Sequence, residues 1–434
     1  MFLCLWRRGS APRLAAGVAA CVLISVLAGG VNAQNAPSTL TIDDAVARAL
    51  ETAPIIRASE EGLRASEGAY QQAGARPNPE LLIEAENFGG SGDFSGFGGG
   101  EYTYSLGQQI ERGGKRRARR AFAGAERDIA GRTVERTRLD IIFTAQAAFI
   151  DAVAAEAGAD LARARAASAE ETRRSVVRRV EAAKDPKGAG DSAAAAAADA
   201  MSDLARAERE RDLARQQLAL LAGLETRDFS LAAPWFAAPP AGIGDPSFDG
   251  GDSPDLAILK SLEDRAAAAA ALERAAAKQD PTISVGVRNL RETRDTAAIL
   301  SVSMPLAVFN RNRGAIARAE AERRQAAYER EAGELALSRE IVRARSVLDA
   351  ATAEAATLRR DVIPRAQSAL SNARAGYGRG AFTYLEVFSA QTALFDFRAK
   401  EVGALRRAHL ARAEFDRLTA RLAAPADMKE FPNE

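Results

Sequence analysis

The 434-residue chain balances 59 lysines and arginines against 58 aspartates and glutamates, with one histidine, two cysteines and 47% hydrophobic residues. So even a balance leaves no basic field of the kind nucleic acid requires. Both cysteines, Cys4 and Cys21, lie within the first 33 residues, and a lone histidine supplies too few ligands for a metal site.

The chain opens on Arg7, Arg8 and Arg13, followed by an apolar stretch from Leu14 to about Gly30 and the small-residue site Val31-Asn32-Ala33. This is the layout of a cleavable export signal, predicted over 1–33, with the mature chain starting at Gln34. Val18-Ala19-Ala20-Cys21 also resembles a lipoprotein cleavage box, but cutting there would leave apolar Val22 to Leu27 on the mature terminus. A single-pass anchor is the plainer alternative, though no second run of roughly 20 apolar residues is expected downstream. Losing the signal removes three arginines and no acid, leaving 56 basic against 58 acidic residues and no thiol for a disulfide, zinc site or nucleophile.

A first repeat is predicted over 34–223: a helix, strands at 79–88 and 101–110, a long helix over 112–184 and a return helix over 192–222. Each strand alternates. Leu81, Ile83 and Ala85 oppose Leu82, Glu84 and Glu86, while Tyr102, Tyr104, Leu106 and Ile110 oppose Thr103, Ser105, Gly107 and Gln109. A glycine-rich loop, Phe88 to Gly100, joins them. The long helix has no proline, and ~72 residues at ~1.5 Å rise would reach roughly 110 Å. Leu139, Ile142, Phe143, Phe149, Ile150 and Val153 recur on it at the spacings of a packed coiled-coil seam. Its start, Lys115-Arg116-Arg117 with Arg119-Arg120, reads as a solvated or headgroup-facing helix end. Gly113-Gly114-Lys115-Arg116 is not a phosphate loop, because Gln109 and Arg116 stand where a glycine and a hydroxyl are needed.

Residues 224–253, rich in proline, glycine and aspartate, read as a linker or girdle. The order then recurs over 254–422: strands at 281–290 and 297–308, a long helix over 313–374 interrupted only by Pro364, and a return helix over 382–422. A tail spans 423–434. Ile283, Val285 and Val287 oppose Thr282, Ser284, Gly286 and Arg288, and Leu300, Val302 and Met304 oppose Ser301 and Ser303.

Alternation alone suits a four-stranded sheet with one buried face. Strand length, the mobile-type loops and the long helices suit bilayer-spanning strands instead. Four strands cannot close in lipid, so spanning forces oligomerisation, and three copies would supply twelve. The fold class expected is mainly α with a transmembrane β-barrel contribution: a long coiled-coil helical barrel plus four strands per chain, in an internal tandem repeat.

Several words of sequence resemble the TolC-type outer-membrane efflux family, above all its cobalt-zinc-cadmium resistance branch. They are Ala75-Arg76-Pro77-Asn78-Pro79-Glu80-Leu81, Glu84-Ala85-Glu86-Asn87-Phe88-Gly89-Gly90, Gln108-Gln109-Ile110-Glu111 with Gly113 to Arg116, and Tyr377, Gly380, Thr383, Leu385-Glu386-Val387, Ala390 and Gln391. The first turn, Arg179 to Lys184, departs from the pattern in being followed by an alanine-rich stretch, Lys187 to Ala198. The resemblance implies a homotrimer with a twelve-stranded barrel in the outer membrane of a Gram-negative bacterium. It further implies a periplasmic helical tunnel whose tip meets a membrane-fusion adaptor and an inner-membrane RND transporter. The function implied is a passive exit duct for divalent heavy metals, with drug efflux or type I protein secretion as the alternative. A soluble periplasmic coiled-coil scaffold is the alternative of another class.

At the tip, Lys184, Asp185 and Gly188 of the first turn and Gly376, Tyr377, Gly378, Gly380, Thr383, Leu385 and Glu386 of the second are the candidate docking residues. The three glycines are expected to make the turn, with Thr383 near the N-cap of the returning helix and Glu386 near its positive end. Glu84, Glu86, Asp199 and Asp203 are candidate lumen-facing acids. No residue set supports catalysis, a cofactor or a bound metal, and His409 is expected to pack or face solvent.

Overall fold

The computed structural model describes residues 39–226, 228–243 and 253–421. The expected signal over 1–33, Cys21, part of the 224–253 segment and the 423–434 tail lie outside those residues. The first repeat contains β1 (Thr39–Leu40), α1 (Ile42–Thr52), α2 (Pro54–Ala73), β2 (Glu80–Glu86), β3 (Glu101–Gln109), α3 (Lys115–Glu181) and α4 (Lys187–Leu221). After β4 (Ser230–Leu231) come α5 (Pro254–Ala276), β5 (Thr282–Leu290), β6 (Thr296–Ser303), α6 (Arg313–Thr357), α7 (Ile363–Arg379) and α8 (Tyr384–Leu418).

Local chemistry sets the boundaries. Thr41 and Asp44 form a reciprocal capping box at the start of α1, and Pro54 occupies the first turn of α2, where its missing N–H is harmless. Gly113 and Gly114, at φ +69° and +74°, turn the chain from β3 into α3. A Cβ on Gly113 would stand 2.6 Å from the Lys278 side chain, so glycine is required twice over. Between α6 and α7, Pro364 has no N–H to donate, and the helix widens into a π segment at Leu358–Val362 rather than ending.

In each repeat the two long helices pack as an antiparallel pair, α3 with α4 and α6–α7 with α8, and α3 also packs on α5 and α8. Phe149, Ile150, Leu218, Phe229, Phe236 and Leu405 form the largest buried cluster, beside the parallel pairing of β1 with β4. One window of α3 reaches a mean hydropathy of 1.4, enough by length and composition to cross a membrane, though polar and charged residues such as Gln146 and Asp151 interrupt it. Its helix carries the Phe149 and Ile150 seam, so the apolarity is spent on other helices.

The remaining strands form one antiparallel sheet in the order β2-β3-β5-β6, with β2 and β6 as open edges. Strand β6 stops at Ser303, five residues short of the expected end, because Pro305 cannot donate to a ladder.

Candidate functional site

Register places rows of apolar side chains across one face of the sheet. Leu81, Leu106, Val285 and Leu300 are mutual partners, as are Ile83, Tyr104, Val287 and Ala298. On the other face, the flanking rows are Glu84, Thr103, Arg288 and Ala297, and Glu80, Gly107, Ser284 and Ser301, while the row between, Leu82, Ser105, Gly286 and Ile299, is polar or small only on its two central strands. Among the described residues this sheet packs broadly only strand on strand. Its apolar face is therefore the exposed one: Leu81, Leu106, Val285 and Leu300 keep 69%, 51%, 56% and 72% of their surface. Thr103 and Ser105, on the polar face, are buried. That face is also crowded, since a Cβ on Gly286 would lie 2.6 Å from the Ser105 Cβ, and one on Gly107 would lie 2.9 Å from the Ser284 hydroxyl. A water-soluble sheet has the reverse arrangement; a lipid-facing barrel wall has this one.

Both acids predicted on β2 lie on the polar face. Glu86 stands 3.4 Å from Arg288, which also donates to Glu101 at 3.1 Å and to the Thr103 hydroxyl at 2.9 Å. Phe88 stacks on Phe97 at 6.1 Å in the loop above. On α4, Asp203 pairs with Arg165 at 3.2 Å and Arg206 at 2.8 Å, so two guanidiniums offset its charge. Asp203 lines a cavity of about 570 Å³ between α3, α4 and α8, whereas Asp199 borders a separate one with Thr172 and Gln391.

At the tip the structure divides the predicted residues into two groups. Asp185 and Tyr377, from different helical hairpins, meet: the Tyr377 hydroxyl donates to the Asp185 carboxylate, which also takes Nε and a terminal nitrogen of Arg179 at 2.9 and 3.2 Å. The Arg179 guanidinium lies 4.6 Å from the centre of the Tyr377 ring. Arg179 holds the Asp185 carboxyl below its ordinary range, and burial with the Asp185 hydrogen bond pushes the Tyr377 phenol up. Tyr377 is buried, so it braces the tip from within. Lys184, Gly188, Gly378, Gly380, Thr383, Leu385 and Glu386 are exposed.

Two expectations about the turns are corrected. Helix α7 runs to Arg379, so Gly376 and Gly378 are helical, and only Gly380, at φ +79°, makes the turn. Gly376 serves a different need, because the Phe382 ring lies where its Cβ would be. Helix α4 starts at Lys187, not 192, so Gly188 sits in its first turn, and Ala183 at φ +54° turns the chain before it. Thr383 is itself the N-cap of α8: its backbone N–H donates to Glu386 at 2.6 Å, completing a capping box.

Sequence reasoning did not single out Arg179, although it stands six residues before Asp185 near the end of a helix. It also missed the buried bond from the Thr172 hydroxyl to the Gln391 side-chain oxygen, at 3.0 Å, which ties α3 to α8 just above. Hydroxyl and amide residues inside an apolar seam were the available signal. His409 packs between Trp235 and Phe236 and its Nε2 donates to the Ala238 carbonyl at 3.0 Å.

A profile of the family described as outer membrane efflux protein matches residues 45–224 and 251–421. The cobalt-zinc-cadmium resistance protein CzcC of Cupriavidus metallidurans is 30% identical over 390 residues, covering 89% of this chain and 92% of that protein. The outer membrane protein VceC of Vibrio cholerae superposes with a TM-score of 0.73 at 21% identity, over 87% of this chain and 95% of that one. The CusC structure superposes at 0.72 with 17% identity, over 87% and 91%.

Proposed function

The chain belongs to the outer membrane efflux protein family, and from that premise we propose that three copies close their sheets into a twelve-stranded outer-membrane barrel continued by a periplasmic helical tunnel. The observation that carries this is the inverted sheet. Left in water, its exposed leucines, isoleucines and valines would each forgo roughly 1.5 to 3 kcal/mol of burial. In lipid they face the right solvent, but β2 and β6 would then present unsatisfied backbone groups at several kcal/mol each, which only closure with further copies removes. Twelve strands lie within the range of such barrels.

The duct is passive and supplies length, a polar lumen and a tip that opens. Its cargo is divalent heavy-metal cations, a reading supported by the relative named for cobalt, zinc and cadmium resistance. Recognition of the metal resides in an inner-membrane RND transporter, reached through a periplasmic adaptor that docks on the exposed tip residues around Leu385. The barrel itself is bedded in outer-membrane lipid.

Purification from outer membranes in detergent, mass determination and conductance in planar bilayers test the duct. A conducting trimer supports it; a soluble, nonconducting monomer refutes it in favour of a periplasmic scaffold. A deletion strain sensitive to zinc, cobalt or cadmium supports the cargo, whereas sensitivity to dyes and detergents alone assigns the duct to drug efflux.

A further inference from the structure

The internal repeat makes one complete junction contact inside the chain and leaves its repeat-related counterpart open. Where β3 runs into α3, the Ile110 N–H donates to the Pro281 carbonyl at 2.9 Å. The Arg112 N–H donates to the Asp280 carboxylate at 2.8 Å, and the Lys115 ammonium reaches it at 2.7 Å. The first strand-to-helix junction thus seats on the helix-to-strand corner between α5 and β5. Asp280 is almost fully enclosed there, with 8% of its side chain exposed.

Aligning the left-handed N-caps of the two long helices, Gly114 and Asn312, superposes the second strand and helix entry of each repeat and keeps strand parity, Tyr104 falling on Val302. Val308, Asn310 and Arg313 then stand where Ile110, Arg112 and Lys115 stand; the prolines directly before β2 and β5, aligned separately because the first repeat is four residues longer between its strands' start and its helix cap, put Asn78-Pro79 where Asp280-Pro281 stands. Among the described residues, neither half of this second contact is made within the chain. Leu306, Val308 and Phe309 are 76%, 58% and 100% exposed, and Asn78 and Pro79 are exposed. Val308 N–H closes on its own neighbour, the Leu306 carbonyl, at 2.9 Å.

We propose that the junction after β6, Leu306 to Arg313, seats on the α2–β2 corner around Asn78-Pro79 of a second copy of this chain, reproducing between copies the contact that Ile110 to Lys115 makes with Asp280-Pro281 within one. The occupant follows from continuity. The open edge β6 runs directly into the junction and the open edge β2 begins directly after the corner. Antiparallel pairing of β6 with the next copy's β2 brings the C-terminal end of one strand to the N-terminal start of the other. Chemistry changes with the position: the Lys115–Asp280 ion pair becomes an Arg313 hydrogen bond to a neutral amide, and apolar Leu306, Val308 and Phe309 lose their exposure. This rests on the trimeric reading above.

The test is a double variant, Asn78→Cys with Asn310→Cys, oxidised mildly in isolated outer membranes, with Pro79→Cys plus Val308→Cys as a second pair. Arg112→Cys with Asp280→Cys serves as the within-chain control. The expected result is a covalent species of three chains on a non-reducing gel from either inter-copy pair, lost on reduction and absent from each single variant. If the detergent-extracted protein weighs as a trimer and the control pair closes, yet both inter-copy pairs keep free thiols, the junction contact is wrong and the trimer stands. A monomeric mass overturns both.

Discussion

Leu300 and Ser301 are neighbours in β6 at the same depth but on opposite faces, so the pair isolates the direction in which the sheet faces lipid. Leu300→Arg places a cation on the apolar face, where Leu300 is 72% exposed and continues the row Leu81, Leu106 and Val285. An arginine on the lipid face near the midplane of a barrel costs about 2 to 4 kcal/mol, and losing the leucine adds roughly 1.5 to 3 kcal/mol. Three copies multiply this to roughly 10 to 20 kcal/mol for the assembly, comparable with or beyond the whole stability of a typical domain. Ser301→Arg puts the same cation on the polar face and avoids the lipid term. Outer-membrane fractionation followed by gel analysis of unheated samples should show the Leu300→Arg trimer absent and the Ser301→Arg trimer retained. Equal tolerance of both variants, or loss of Ser301→Arg alone, would refute the assignment of faces.

At the tip, Tyr377→Phe keeps the ring beneath Arg179 but removes the hydroxyl bound to Asp185. A hydrogen bond to a charged group contributes about 1.5 to 3 kcal/mol, so the tie between hairpins should loosen by a factor of about 10 to 150. Conductance in planar bilayers should rise, and an unchanged trace would show that the tie does not govern the tip. Thr383→Ala removes the α8 capping box and should cost about 1 kcal/mol, read as a lower thermal midpoint, with Thr383→Ser restoring it. His409 has a folded-state pKa held below the ordinary value by burial among Trp235 and Phe236. The unfolded chain therefore binds the proton more readily, so stability is complete above about pH 6.5 and declines as the pH falls below it. His409→Gln should flatten that slope in thermal melts between pH 5 and 7.5, at roughly the ordinary histidine range.

The four strands, the long helices and their repetition were legible because they rest on local periodicity. Tyr104 and Val285 alternate with Ser105 and Ser284 whatever surrounds them, and a long proline-free stretch rich in alanine, glutamate and arginine has few options besides helix. Thr383 announced a helix start through capping chemistry within a few residues, whereas the long helix expected from 112 begins only at Lys115, after Gly113 and Gly114 turn the chain. The helical state of Gly376 was not legible, because glycine's freedom permits a turn without requiring one and the deciding neighbour is the Phe382 ring. Neither was the role of Arg179, whose partners Asp185 and Tyr377 meet only when two hairpins pack 192 positions apart along the chain. Sequence by itself determined which residues alternate, which helices are long and that the unit occurs twice, since each is set by neighbours along the chain. Tertiary structure alone decided which face of the sheet is enclosed and which acids already hold arginines, because both depend on contacts between segments far apart in sequence.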